Sequence, residues 1–213
     1  AGQARAIDLG DGVTWEAGHV AARAFRPPPG RTLEVPDAGD FDSNQPFTCS
    51  AWIKLPRAGV RGAIVARMDE GHAYRGWDLW LENGMLGTHL IHRWQDDAIK
   101  VVAPAPLPVN QWVFVGMTYD GSSKAAGVRL TIDGELQRNV NVLADALKST
   151  LQTGVPFKVA QRHAGQRIDD LLIQDLRIYA RELPAAEMER LAETARALFL
   201  SRKPAAERTD PEK

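Results

Sequence analysis

The chain contains a single cysteine, Cys49, so no disulfide can form within it. Its net charge is only -1, so no global field draws it to nucleic acid or to an anionic membrane. No apolar run approaches the roughly 18 residues of a membrane-spanning helix, and no secretory leader is visible. No glycine-rich phosphate loop joins a strand to a helix, and no basic-aromatic stripe marks a nucleic-acid surface. Internal repeats are lacking as well. Together these absences argue against a disulfide scaffold, a helical membrane span, a P-loop enzyme and a nucleic-acid binder. The chain starts at Ala1 rather than Met, which reads as a piece of something longer. The missing leader is then uninformative about export.

What is present is an ordinary globular balance, 44% hydrophobic and 25% charged over 213 residues. That length suits one generous all-β domain. Short apolar-alternating segments separated by turn chemistry are the pattern of a β-sandwich. Thr32-Leu33-Glu34-Val35 reads as a strand, followed by an acidic loop from Pro36 to Asp42. From Phe47 to Leu55, Phe47, Cys49, Ala51 and Ile53 share one face, and Thr48, Ser50, Trp52 and Lys54 the other. Cys49 thus reads as a small buried hydrophobe, inert rather than nucleophilic.

Residues 63–67 follow as a strand. Residues 76–82 alternate, with Trp77, Leu79 and Leu81 against Asp78, Trp80 and Glu82. Asn83-Gly84 is the strongest hairpin signal, and residues 85–93 return from it. Residues 98–103 and 111–119 are further strands, with a proline-spaced link at 104–108 between them. Residues 128–132 lead to a second hairpin turn, Asp133-Gly134, with 136–142 as the returning partner. Residues 144–153 read as loop. Residues 157–160 and 168–179 supply the last strands, and a first strand is expected around Ala4 to Leu9. In the tail, Met188, Leu191, Ala195, Leu198 and Phe199 recur at helical spacing, and Pro184 suits a helix start. The predicted division is a sandwich over 1–183, a helix over 184–200 and a charged linker or disordered tail over 201–213.

Four of these segments resemble a known family. Phe47-Thr48-Cys49-Ser50-Ala51-Trp52-Ile53-Lys54 is similar to one strand of laminin-G-like, concanavalin A-like jelly rolls. Gln111-Trp112-Val113 through Thr118-Tyr119-Asp120-Gly121 is similar to another, and Leu130-Thr131-Ile132-Asp133-Gly134 to their hairpin. Ile168-Asp169-Asp170-Leu171 with Arg177-Ile178-Tyr179-Ala180-Arg181-Glu182-Leu183 resembles their closing segment, here lengthened by residues 172–176. Residues 67–71, 74–79 and 121–127 most resemble the version embedded in large exported planctomycete proteins with cytochrome-c-like regions. The resemblance implies two antiparallel sheets packed face to face, one with a concave side. It implies export, to periplasm or exterior, and neighbouring domains of a parent chain as partners. It implies no catalytic activity.

The candidate site lies on one strand face. Asp78, Trp80 and Glu82 are two apart and so project together. The strand beyond the Asn83-Gly84 turn brings His89, with His92, Arg93 and Trp94 nearby. Aromatic rings cover apolar C–H faces of sugars, while carboxylates, imidazoles and guanidinium fix hydroxyls. These seven residues therefore form a candidate glycan or peptide site, and an exposed Trp80 or Trp94 is what that reading requires. The alternative is that Trp80 packs under a loop and Trp94 plugs the sandwich edge. In that case the domain is a structural or interaction insert without a small ligand, and the apolar helix stripe is the adhesive surface. A glycoside hydrolase is the remote alternative. Glucanases on this fold carry E-x-D-x-x-E; Asp78-Leu79-Trp80-Leu81-Glu82 approaches it, but Gly76 stands where the leading Glu belongs, so no catalytic residue is assigned.

His89 and His92 are three apart, so on a strand they face opposite sides and do not make a joint transition-metal site. Asp37, Asp40 and Asp42, or Asp169-Asp170, could supply oxygen ligands to a structural calcium. A solvated acidic turn is the better account, because the spacing lacks a full ligand set. No other cofactor is expected.

Overall fold

The computed structural model describes residue 9 and residues 12–31 and 33–209. Within them the alternating segments become two antiparallel sheets of seven strands each. In chain order the strands are β1 (Thr14–Ala17), β2 (Arg23–Arg26), β3 (Leu33–Val35), β4 (Phe47–Lys54), β5 (Gly62–Asp69), β6 (Arg75–Glu82) and β7 (Met85–Arg93). There follow β8 (Asp97–Pro106), β9 (Trp112–Tyr119), β10 (Val128–Ile132), β11 (Glu135–Leu136), β12 (Asn141–Asp145), β13 (Phe157–Val159) and β14 (Leu172–Tyr179). The first sheet is ordered β1-β2-β14-β4-β9-β10-β11, the second β12-β8-β7-β6-β5-β13-β3. This is a two-sheet sandwich, as the alternation predicts, of the jelly-roll type that the resemblance implies. Apart from Leu9, the strand expected around Ala4 to Leu9 falls outside the described residues.

The period of two decides what each sheet hides. Phe47, Cys49, Ala51 and Ile53 turn inward from β4 and meet Trp77, Leu79 and Leu81 from β6 in one core. Phe47 and Trp77 pack with ring centroids 4.9 Å apart. Each large side chain buried this way contributes about 1.5–3 kcal/mol. Burial pushes the Cys49 thiol up to about 12, so it is a packing group and not a nucleophile. Asn83 (φ 54°) and Gly84 (φ 84°) form the left-handed pair that a two-residue hairpin needs, and Asp133 and Gly134 (φ 49° and 85°) do the same.

Three expectations need correction. Residues 136–142 are not one returning strand. β11 pairs with β10 over two residues only, and the chain then crosses to the second sheet, where β12 pairs with β8. The ten-residue β8 has a long outer edge of backbone donors and acceptors, and β12 pairs with its stretch from Ile99 to Val102. The proline link is partly strand, since β8 reaches Pro106. The closing strand starts at Leu172, not Ile168, and a bulge between Gln174 and Arg177 absorbs the added length, with Asp175 at φ 50°.

The C-terminal helix α1 (Ala185–Arg202) follows Pro184 and ends two residues later than predicted. Its first two turns dock: Met188 and Ala192 are buried against Trp52 and Phe114 on the outer face of the first sheet. Leu198, farther along the predicted stripe, is 48% exposed. A short 3-10 turn at Ala205–Glu207 follows. No helix among the described residues is long and apolar enough to cross a membrane.

Candidate functional site

With the helix on one outer face, the outer face of the second sheet is the one left for a partner. Strand register sets its floor. Ala66, Asp78, His89, Lys100 and Ala144 are successive partners across β5, β6, β7, β8 and β12. In the adjacent row Ala63, Trp80, Gly87 and Val102 are successive partners. A Cβ on Gly87 would lie 2.9 Å from the Val101 carbonyl oxygen and 3.1 Å from Val102 Cγ2, so this place beside Trp80 has no room for a side chain. Over these rows lies a pocket of about 160 Å³ whose wall includes Tyr74, Trp80, Glu82, His89, Trp94 and Lys100.

Asp78 is fully buried beneath it. Its Oδ1 accepts the backbone N–H of His89 (2.9 Å) and meets His89 Nδ1 at 2.9 Å. Its Oδ2 accepts Nε and Nη2 of Arg162 at 2.9 and 2.7 Å. Burial opposes ionisation, but the charges and hydrogen bonds of His89 and Arg162 outweigh it and hold the Asp78 carboxyl at about 2. Glu82 likewise stays below its ordinary value. Burial again works against this, and the Lys100 and Trp80 hydrogen bonds and the charges of Lys100 and Arg61 prevail. Its Oε2 accepts Lys100 Nζ at 2.8 Å and Trp80 Nε1 at 3.0 Å.

Trp80 is only 2% exposed, which overturns the expectation of an open indole there. The Arg162 guanidinium lies 4.2 Å from its ring centroid and occupies the face on which a sugar would stack. Trp80 therefore packs under a loop, the alternative weighed from the sequence. Trp94 is half-buried and walls two hollows: the pocket on one side and a shallower depression of about 410 Å³ on the other. Tyr74, 38% exposed, stands at the same end, because Trp94 N–H donates to Ala73 O at 3.0 Å.

The seven predicted residues are thus divided. Asp78, Trp80, Glu82, His89 and Trp94 come together. His92 does not join them: its Nδ1 meets the Thr150 carbonyl oxygen at 2.9 Å, away from the pocket. Arg93 is also outside; its side chain is 61% exposed and faces Asp96 at 3.4 Å. Sequence reasoning missed Arg61, Tyr74, Lys100, Arg162 and Gln166. Lys100 was within reach of it, since extending the register from β7 to β8 sets Lys100 opposite His89. Arg162 lies in an irregular loop, 84 residues from Asp78, and carries no local signal.

The acidic groups considered for calcium have other partners. Asp42 Oδ1 accepts the N–H groups of Ser43 and Leu151 at 2.7 and 3.1 Å. Asp40 faces Arg67 Nε at 3.4 Å. Asp169 accepts Arg167 Nε at 2.7 Å, and Asp170 faces Arg26 at 3.6 Å. Among the described residues no three His, Cys, Asp or Glu converge to hold a metal.

Several solved structures share this architecture. The binding domain of Paraclostridial Mosquitocidal Protein 1 superposes with a TM-score of 0.67 at 18% identity, covering 89% of this chain and 47% of that one. The receptor binding domain of botulinum neurotoxin D gives 0.62 at 17%, with the same coverage of each chain. The botulinum neurotoxin serotype G binding domain gives 0.57 at 15%, covering 88% and 46%. The chain therefore spans about half the length of those domains, and at such identity the likeness is one of fold. No curated protein matches the sequence. Residues 30–189, spanning both sheets from β3 to β14 and the start of α1, match the Laminin_G_3 family, and the chain belongs to this branch of the concanavalin A-like lectin/glucanases superfamily.

Proposed function

We propose that this domain is a non-catalytic recognition module that binds carbohydrate at the Trp94–Tyr74 end of the pocket, within a longer exported protein. The observation that carries the reading is the hollow itself: two accessible aromatic rings beside a floor of ordered polar groups on the uncovered sheet face. The similar solved structures are binding domains, and their chains are about twice as long, which supports a module working beside other domains. Their provenance in toxins also supports export.

The carboxylates favour binding over hydrolysis. A retaining pair stands about 5–5.5 Å apart, with one member kept as a protonated acid. Asp78 and Glu82 are four residues apart on one strand, about 13 Å along it. Both are held ionised by cations, so neither is poised as a general acid.

A specific observation also supports a second reading, an interaction insert with no small ligand. Trp80 is sealed, while Leu198 is exposed in a groove that Leu191 and Ala195 of α1 share with β14. Glycan-array binding separates the two. Trp94→Ala should abolish the array signal while leaving the thermal midpoint within a few degrees. Wild-type protein that binds no glycan favours the insert; a variant that binds as the wild type does moves the glycan site away from Trp94.

A further inference from the structure

The pocket carries unbalanced charge. Asp78 is matched by Arg162 at 2.7 Å. Glu82, by contrast, faces two cations: Lys100 Nζ at 2.8 Å and Arg61 Nε at 3.5 Å. Among these arginine, lysine and carboxylate groups one positive charge is therefore left over, and His89, 2.9 Å from Asp78, adds a second whenever it is protonated. Lys100, hydrogen-bonded to Glu82, is 12% exposed, whereas Arg61 is 61% exposed, so the surplus charge stands at the open rim of the hollow. The carboxylate across the Trp94 ridge, Asp145, accepts the Ala125 N–H at 2.7 Å and keeps its own charge on the far side of that ridge. Arg93 and Asp96, beyond the wall, pair with each other.

We propose that the pocket selects an acidic sugar, a uronic acid residue whose carboxylate settles between Lys100 and Arg61 and whose ring leans on Trp94. This rests on the carbohydrate reading above and narrows it. One surplus charge suits one carboxylate, whereas a doubly charged phosphate needs a protonated His89 as well. Arg61 meets Glu82 in an ion pair through Nε rather than in a hydrogen bond, and its side chain is 61% exposed, so its forked donors can turn to a planar carboxylate. At about 160 Å³ the hollow is smaller than the roughly 300–1,000 Å³ that holds a drug-sized ligand, so it takes one sugar residue. The depression beyond Trp94 is where the next residue of the chain would lie.

The test is calorimetric titration of the intact chain with trimers of galacturonate, mannuronate and glucuronate, each paired with its methyl ester. Neutral maltotriose and cellotriose, a sulfated neutral trimer and a hexaglutamate peptide are the comparison probes. At least one free acid should bind about tenfold more tightly than its ester, and more weakly as salt rises. Lys100→Met, which keeps the aliphatic stem, and Arg61→Gln, at an exposed position, should each remove about tenfold of that affinity. Circular dichroism checks that both variants fold. If an ester or a neutral trimer binds as well as the acids, carbohydrate binding stands and the acidic preference alone is overturned. Equal binding of the sulfated trimer or of hexaglutamate overturns the assignment to uronic acid. If no saccharide binds at millimolar concentration, the carbohydrate reading fails and the acidic preference falls with it.

Discussion

The two outer faces of the sandwich each bury a tryptophan, and they cover it by opposite means. On the first sheet, Trp52 lies beneath Met188 and Ala192 of α1, with the His19 ring 4.7 Å away and Phe114 beside it. Its Nε1 has no hydrogen-bond partner among the described residues. On the second, Trp80 lies beneath the Arg162 guanidinium, and its Nε1 donates to Glu82. The first cover is greasy and continuous. The second is ionic, rests on one buried carboxylate and leaves a hollow alongside. The contrast shows how one scaffold seals a face and keeps the other receptive: an apolar helix excludes water, whereas a charged side chain held by Asp78 closes only one ring.

Removing the support of the ionic cover should have the largest effect. Asp78→Ala strands Arg162 among buried groups and should cost about 3–5 kcal/mol, seen as a lower urea midpoint. A loss below 1 kcal/mol would mean that Arg162 is not held as described. The greasy cover comes next. Met188→Ala, which deletes a buried side chain between helix and sheet, should cost about 2–3 kcal/mol, with faster hydrogen exchange at the Trp52 indole than at that of Trp80. Equal change at both rings would erase the distinction between the faces.

Acid gives the smallest effect and the sharpest separation. The Asp78 carboxyl, ordinarily at 3.8, is held at about 2 in the fold. Its ionised form therefore stabilises the native state in full above pH ~4, and the contribution is lost as pH falls towards 2. The amount is roughly 2 kcal/mol. Two-dimensional NMR of the tryptophan indoles should show the Trp80 environment changing in that window before Trp52. If Trp52 changes first, the ionic cover is not the acid-sensitive one.

The sandwich was legible because period two is a property of the strand itself: the inward sets Phe47 to Ile53 and Trp77 to Leu81 follow from alternation alone. The hairpin at Asn83-Gly84 was legible because its residues tolerate positive φ. The hairpin of β1 and β2 was not, since Thr14–Ala17 and Arg23–Arg26 are four residues each. The hairpin is clamped tertiarily: Gln174 accepts from the N–H groups of His19 and Val20 and donates to Ala21 and Arg23 oxygens. The crossing between β11 and β12 escaped for a similar reason, as no proline or glycine interrupts residues 135–145. At the site, alternation correctly set Asp78, Trp80 and Glu82 on one face. It could not reveal that a residue from a distant loop lies across that face. Facing direction is local, whereas exposure depends on everything packed above.

The single bond from Trp94 N–H to Ala73 O has a mechanical consequence. It ties the turn that enters β6 to the turn that leaves β7, at the one end of the hairpin where both rings stand. The backbones that carry the two rings of the mouth are thereby fixed to each other, while each ring keeps its own side-chain torsions.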